Sequence, residues 1–371
     1  MNRKCTMSAC FRKGIVTMKN RLLLTLISTL CLSACSQSIT RIENELFSVT
    51  GKKYQNMYPS THQGSGPHHA YDEVDFLLPT EKKVVEQGMI SFAHSGIDKT
   101  FGFDYEKLLS PTFEINKGNV GHITWLGHAS FLIQKTNGDA LVTDPVFGEF
   151  DGYGWLGSKV INDLNRLGEA PIKADQLQFV TGVMVSHNHY DHLNNDSLNS
   201  FNDGTTLYLP LDTADDVNYQ QGPIVEMGWY TQTQHNNTGL HFLPANHTSS
   251  HGAFDTDESL WGSWLMDDGK HKVYFAGDTG YSPIFKDIQQ KVGDIDVCLM
   301  PIVAYPRGAR KMHMSPEDAV QAAQDLGCKV FIPWGYGTWL LGYEHVNEPL
   351  RRLQKAFDDI KPNMTLKILR I

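Results

Sequence analysis

The sequence has no excess of positive charge: 32 Lys and Arg stand against 41 Asp and Glu, giving a formal charge of -9 and a pI near 5.9. A chain without a basic stripe cannot release phosphate counterions, which excludes a general affinity for nucleic acid. Long hydrophobic runs are missing too. The most apolar stretch, Leu22 to Leu32, is far shorter than the roughly 20 residues that a permanent spanning helix needs. Cysteine is scarce beyond the start of the chain, where only Cys298 and Cys328 follow residue 35. Both sit in apolar contexts, so buried unpaired thiols are the expected state and a disulfide the alternative. What the chain does have is hydrophobic mass, 41% of 371 residues, enough for a sizeable core in one large domain or two modest ones.

The beginning of the chain reads as an address rather than as fold. From Met18 a basic Met-Lys-Asn-Arg, the short apolar run and Leu32-Ser33-Ala34-Cys35 follow in order. This resembles a bacterial lipoprotein signal peptide, cut before Cys35, with that cysteine then lipidated. Ser36 resembles the outer-membrane sorting rule of Gram-negative lipoproteins. The expected location is therefore the outer membrane, facing the periplasm on a lipid anchor. Residues 1 to 17 would make an unusually long n-region, so Met18 stands as an alternative start to Met1.

Three segments are expected: the signal segment 1–35, a tether and N-terminal extension over 36–118, and an organised domain over 119–371. The extension is polar and irregular, and its His68 and His69 read as solvated loop residues. Strands are predicted over 120–126, 129–135 and 140–144, the last two joined at a two-residue Asn137-Gly138 turn. Further strands are predicted over 179–186, 205–209, 240–243, 260–266, 272–276, 295–301 and 329–332. Ser315-Pro316-Glu317-Asp318 gives a helix cap with proline in the first turn, and Gly327 stops that helix. A second helix is predicted over 347–360 and a terminal strand over 365–369. Many strands followed by mixed strands and helices suggest two sheets packed face to face with helices outside.

The densest chemistry is Ser186-His187-Asn188-His189-Tyr190-Asp191-His192, directly after the apolar stretch 179–185. Alternating residues on an extended segment share a face, so His187 and His189 can grip one ion. Past the bend, Asp191 and His192 turn toward a second. His247 closes another predicted strand, and Asp278 sits in the turn Gly277-Asp278-Thr279-Gly280 after a third. The inventory is then His187, His189 and His247 for one ion, Asp191 and His192 for another, and Asp278 placed to bridge them.

With Ile123-Thr124-Trp125-Leu126-Gly127-His128-Ala129-Ser130, Thr143-Asp144-Pro145-Val146-Phe147, the segment 260–264 and His313-Met314-Ser315-Pro316, these motifs resemble the metallo-β-lactamase fold superfamily. Within it they resemble the N-acylphosphatidylethanolamine-hydrolysing phospholipase D and RomA-like branch, with a weaker echo at Gly51 to Asn56. The resemblance implies an α/β (α+β) protein, an αββα four-layer sandwich with a dinuclear Zn²⁺ site at one edge of the sheets. It implies a zinc-dependent phosphodiesterase of phospholipase D type, acting on N-acylphosphatidylethanolamine-like phospholipid or another small phosphodiester. Asp191 and His313 are the catalytic candidates, His313 through the leaving group or the phosphate, while His128 and Asp144 are expected to stand behind the ligands and orient them. A lactone or ester hydrolase on the same metals, and a non-catalytic metal-binding lipoprotein, are the alternatives. Trp155, Trp229, Tyr230, Trp334, Tyr336 and Trp339 are candidates for an acyl groove, with core packing as the commoner role of such residues. One departure stands out. Where the family carries a ligand histidine in Ile-His-Trp-Gly-Thr, this chain pairs Gly335, so the second ion lacks a family ligand, with His345 or Tyr336 as replacements if the loop is rearranged. The lipobox is tested by Cys35→Ser, which should move the protein from the membrane to the soluble fraction; retention in the membrane pellet would refute it.

Overall fold

The computed structural model describes residues 38–44, 48–50, 53–58, 121–148, 174–252, 254–305, 309–339, 341–342, 344 and 348–369. The signal segment with Cys35, and His68, His69, Trp155 and His345, lie outside the described residues. Strands β1 (Ile39–Ile42), β4 (His122–Gly127), β5 (Ser130–Gln134), β6 (Ala140–Thr143), β7 (Gly182–Met184), β8 (Thr206–Pro210) and β9 (Ile224–Met227) make one seven-stranded sheet, in the order β1-β9-β8-β7-β6-β5-β4. Strands β10 (Thr231–His235), β11 (Thr238–Leu243), β12 (Ser263–Asp267), β13 (Lys272–Phe275), β14 (Ile295–Pro301), β15 (Cys328–Trp334) and β16 (Thr365–Leu366) make the second, in chain order. A small hairpin of β2 (Ser48–Thr50) and β3 (Lys53–Gln55) stands apart from both.

Both sheets are mixed, and the alternation along each strand explains how the first acquires two buried faces. In β5 to β8, Phe131, Ile133, Leu141, Met184 and Tyr208 join the core shared with Phe242, Trp264, Met266 and Phe275 of the second sheet. Their neighbours Leu132, Val142, Val183, Leu207 and Leu209 point the other way, onto Leu193, Leu198 and Phe201. Leu198 belongs to the short helix α1 (Asn195–Leu198). On the far side of the second sheet, α3 (Pro316–Asp325) packs on β14 and β15 and against α2 (Ile284–Val292) and α4 (Glu348–Ile360). The predicted cap of α3 is present as a capping box. Ser315 Oγ accepts from the Asp318 amide, and Asp318 Oδ2 accepts from the Ser315 amide.

Strands β9 and β10 and helices α1 and α2 fall where no element was predicted, and three further features differ from the sequence reading. The hairpin between β5 and β6 turns through three residues, 136–138, since the Lys135 amide bonds the Asp139 carbonyl and Gly138 bonds back to Lys135. The segment ahead of residue 119 contributes an edge strand, β1, parallel to β9. Cys298 and Cys328, expected as free thiols, are joined in a disulfide. An apolar context marks burial, which free and bonded cysteines share. The pairing comes from β14 and β15 running side by side, which brings the two Cα atoms to 6.1 Å across 30 residues of chain.

Where the two sheets meet at one end, their backbones nearly touch. Gly262 N–H donates to the Ser186 carbonyl at 2.9 Å, and Trp264 Nε1 donates to the Val185 carbonyl at 2.9 Å. Gly277 sits at φ +58, and a Cβ there would lie 2.7 Å from both the Gly262 carbonyl oxygen and Ser186 Cβ, so no larger residue fits. This contact holds the end of β7, where the histidine run begins, against the end of β13. Replacing Cys328 with alanine should lower the free energy of unfolding by about 3.6 kcal/mol, the chain-entropy value for a loop of 30 residues. Denaturant titration checks it, and reductant should then destabilise the wild type but not the variant.

Candidate metal centre

The run 186–192 leaves β7 at that junction and doubles back at once, with the His192 and Leu193 amides both bonding the His189 carbonyl. His247 arrives from the loop after β11, and Asp278 from the turn after β13. The structure brings all six of the predicted ligands together. His187 Nε2 lies 2.9 Å from His189 Nδ1, which lies 3.2 Å from His247 Nε2. Asp278 Oδ2 lies 3.9 Å from His247 Nε2 and 3.3 Å from His192 Nε2, and His192 Nε2 is 3.5 Å from Asp191 Oδ2. A tetrahedral ion with bonds of about 2.1 Å separates its donors by roughly 3.4 Å, so these spacings are those of side chains able to share cations.

The outer ring nitrogens are fixed by the protein. His247 Nδ1 donates to the Met312 carbonyl at 2.9 Å, His192 Nδ1 to Asp144 Oδ2 at 2.6 Å, and His187 Nδ1 faces Ser186 Oγ at 3.0 Å. Each leaves its Nε2 turned inward, and the buried His192 Nε2 has no hydrogen-bond partner. Such outer contacts set the tautomer and ring orientation that a cation requires. Burial holds His187 and His247 well below the ordinary imidazole pKa and His189 down at about 4, so all three are neutral donors near pH 7. His192 is the opposite case: burial disfavours its charge, yet Asp278, Asp191 and Asp144 outweigh burial and raise its pKa well above the ordinary value. Buried Asp278 and half-buried Asp191 stand among imidazoles and stay ionised, desolvation being outweighed chiefly by His192. The neutral nitrogens of His187, His189 and His247 together with the ionised carboxylates are suited to a cation, and a cation entering beside His192 would displace its inward proton.

Asp144 is fully buried behind the run. Its carboxylate accepts from the Ser186 amide at 2.7 Å and the Ser186 hydroxyl at 2.6 Å as well as from His192. The sequence singled out Asp144 but passed over Ser186, whose place at the head of the run was the available signal. Asn56 was passed over as well. Its side chain bonds both the amide and the carbonyl of His247, at 3.0 and 2.9 Å, and accepts from Trp261 Nε1 at 3.0 Å. The echo at 51–56 was its only trace. His313 stands at the edge of the cluster, Nδ1 3.6 Å from Asp278 Oδ2 and one fifth exposed. His128 is 2% exposed, and its Nε2 lies 3.2 Å from Asp191 Oδ2. The described aromatic candidates pack rather than line a groove: Trp229, Trp334, Tyr336 and Trp339 are at most 3% exposed, and the Tyr336 hydroxyl donates to the Leu369 carbonyl, away from the centre.

A family model described as a beta-lactamase superfamily domain matches residues 140–336. The chain belongs to that superfamily. An uncharacterised protein of Mycobacterium tuberculosis is 32% identical over 243 residues, which are 63% of this chain and 63% of that one. The chain thus spans less than two thirds of that relative's length. The N-acyl-phosphatidylethanolamine-hydrolyzing phospholipase D 1 of Caenorhabditis elegans is 30% identical over 259 residues, 64% of this chain and 71% of that one. A solved structure of a possible metal-dependent hydrolase from Veillonella parvula superposes with a TM-score of 0.51 at 15% identity, over 67% of this chain and 96% of that one. At that identity the likeness is one of superfamily fold, two mixed sheets with helices outside. Within this superfamily scaffold, Asp144→Asn should weaken metal binding 10- to 100-fold, the usual effect of losing a carboxylate behind a ligand. Competition with a chromophoric chelator measures it, and undiminished affinity would show that Asp144 does not orient the centre.

Proposed function

We propose that the chain is a zinc-dependent hydrolase of phosphodiesters, of phospholipase D type, acting on phospholipids of the N-acylphosphatidylethanolamine class. The observation that carries this reading is the gathering of three neutral histidine nitrogens and three further carboxylate or imidazole groups into adjoining clusters at one end of the sheets. His187, His189 and His247 would hold the first ion, Asp191 and His192 the second, with Asp278 between them. Ions held there would supply activated water and polarise the phosphoryl oxygen.

The protein's own groups then divide the remaining work. Asp278 keeps the two halves of the centre in register, since its Oδ2 faces both His192 and His247. Asp191, with its Oδ2 3.2 Å from His128 Nε2, would hold a proton beside the reacting water. His313 is the outermost imidazole, with Nδ1 toward Asp278, and is placed to orient the phosphate or give a proton to the departing alcohol. The likeness to the nematode enzyme supports phospholipid as the substrate class.

Anchoring by a lipid on Cys35 would deliver such an enzyme to its substrate at a membrane surface. Among the described residues no helix is long and apolar enough to cross a membrane. The Cys298–Cys328 disulfide supports an oxidising compartment such as the periplasm, because thiols in the cytosol are kept reduced.

The test is elemental analysis of metal with turnover of N-acylphosphatidylethanolamine, a generic phosphodiester and a lactone. His189→Ala should lose the first equivalent of zinc and lower kcat at least about 1,000-fold, a loss of roughly 4 kcal/mol of transition-state stabilisation. Protein purified without chelator and carrying no metal would sink the reading. Preferential turnover of the lactone would replace the phosphodiester with an ester substrate.

A further inference from the structure

The second half of the centre is short of one protein ligand by family standards, because Gly335 stands where a histidine is expected. The structure shows why a histidine does not belong there in this chain. Gly335 adopts φ +96, and a Cβ on it would lie 2.5 Å from Val303 Cγ2. The position is closed both by backbone conformation and by a packed neighbour. Tyr336 is turned away and gives its hydroxyl to Leu369.

Another imidazole already faces the gap. His128 Nε2 is 3.2 Å from Asp191 Oδ2, and that oxygen is 3.5 Å from His192 Nε2, which is 3.3 Å from Asp278 Oδ2. These three separations match those among the donors of the first half, 2.9 to 3.9 Å. The rings repeat the pattern. The centroids of His128 and His192 are 5.1 Å apart and edge to face, against 4.5, 4.6 and 5.0 Å among His187, His189 and His247. One candidate cation cluster is formed by His128, Asp191 and His192 themselves.

The backbone of His128 is built to hold that ring in place. It occupies the turn after β4 at φ +49, beyond a register shift between Trp125 and Gly127. Such a bulge re-aims a side chain, and a non-glycine residue in the left-handed region persists only where its surroundings fix it. Here the His128 amide donates to Thr338 Oγ1 at 2.7 Å, and its carbonyl accepts from Trp125 Nε1 at 2.7 Å. Thr338 lies three residues beyond Gly335, so the loop that lacks the family histidine is the one that clamps His128. Trp334 and Trp339 stand edge to face with the His128 ring, at 5.7 and 5.1 Å, and exclude water from it.

We propose that His128 is a direct ligand of the second ion, completing with Asp191, His192 and Asp278 the set that Gly335 leaves open. This rests on the metal-dependent reading given above and extends it to a residue first placed behind the ligands. The rival role is positioning only, with His128 donating an N–H to Asp191. The two are separated by His128→Gln, whose amide can donate to Asp191 but offers a metal only a weakly ligating oxygen in place of the imidazole nitrogen.

After reconstitution with zinc and desalting, the wild type should hold two equivalents by elemental analysis. His128→Gln and His128→Ala should each hold one, with far-ultraviolet circular dichroism unchanged. Cobalt-substituted His128→Gln should correspondingly lack the visible d–d absorption contributed by the second equivalent. Two equivalents and a wild-type cobalt spectrum in His128→Gln would overturn the proposal. A second measurement needs no variant: in ¹⁵N-histidine-labelled wild type, zinc should move five imidazole resonances to coordinated shifts, and four would overturn the proposal. A wild type holding one equivalent that survives in His128→Gln would also overturn it and leave the hydrolase reading standing. A wild type holding none would bring down both.

Discussion

A carboxylate with no access to water organises this end of the molecule. Asp144 lies at the end of β6, and an unpaired charge there would cost several kcal/mol, so it persists only with its acceptors filled. They are filled by the Ser186 amide, the Ser186 hydroxyl and His192. That arrangement fixes the first turn after β7, and with it the direction in which the histidine run leaves the sheet. Burial pushes the Asp144 carboxyl upward while the His192 contact pulls it back, and the shared proton is best placed on His192 Nδ1, since the carboxylate already accepts from Ser186 twice. His192 keeps its outer proton against Asp144, and a cation entering the centre would displace only the inward one. One buried group thus sets a local fold, a tautomer and the aim of a side chain.

The crowding of imidazoles around it follows from the same low-dielectric setting. Three histidines within hydrogen-bond range of one another cannot all be charged, and burial keeps His187, His189 and His247 neutral. His192 escapes that rule because three carboxylates surround it. The centre is therefore divided electrically: a neutral nitrogen-rich half, and a half where carboxylates balance one raised imidazole. Asp278 belongs to both.

What the sequence revealed was local in origin. The run 186–192, the Gly277–Gly280 turn and the Ser315 cap each declare themselves within a few residues, because their geometry is set by neighbours in the chain. Most central strands were equally legible, since alternation or continuous apolar character marks them, although β9 at Ile224–Met227 was missed. The edge strands were mixed: β4 and β16 were predicted, while β10 and β1 were not. β10 reads Thr-Gln-Thr-Gln-His, without apolar alternation, and β1 lies far from its partner β9 in sequence. The Cys298–Cys328 bond and the Asn56 contacts escaped for the same reason, since they depend on which distant segments the sheets place side by side. His128 was seen, but its role was read from likeness, whereas its distance to Asp191 depends on a bulge that periodicity does not reveal.

Asn56 gives the molecule a boundary unlike the one drawn by sequence likeness. The superfamily match begins at residue 140, yet the backbone of His247 is held on both sides by a side chain from far ahead of that point, and His128 also precedes it. The segment matched by the family model and the frame of the candidate centre differ in extent. Two relatives could keep every motif of the shared segment and still differ in how tightly the centre is closed, because part of its frame is borrowed from chain that the family definition leaves out.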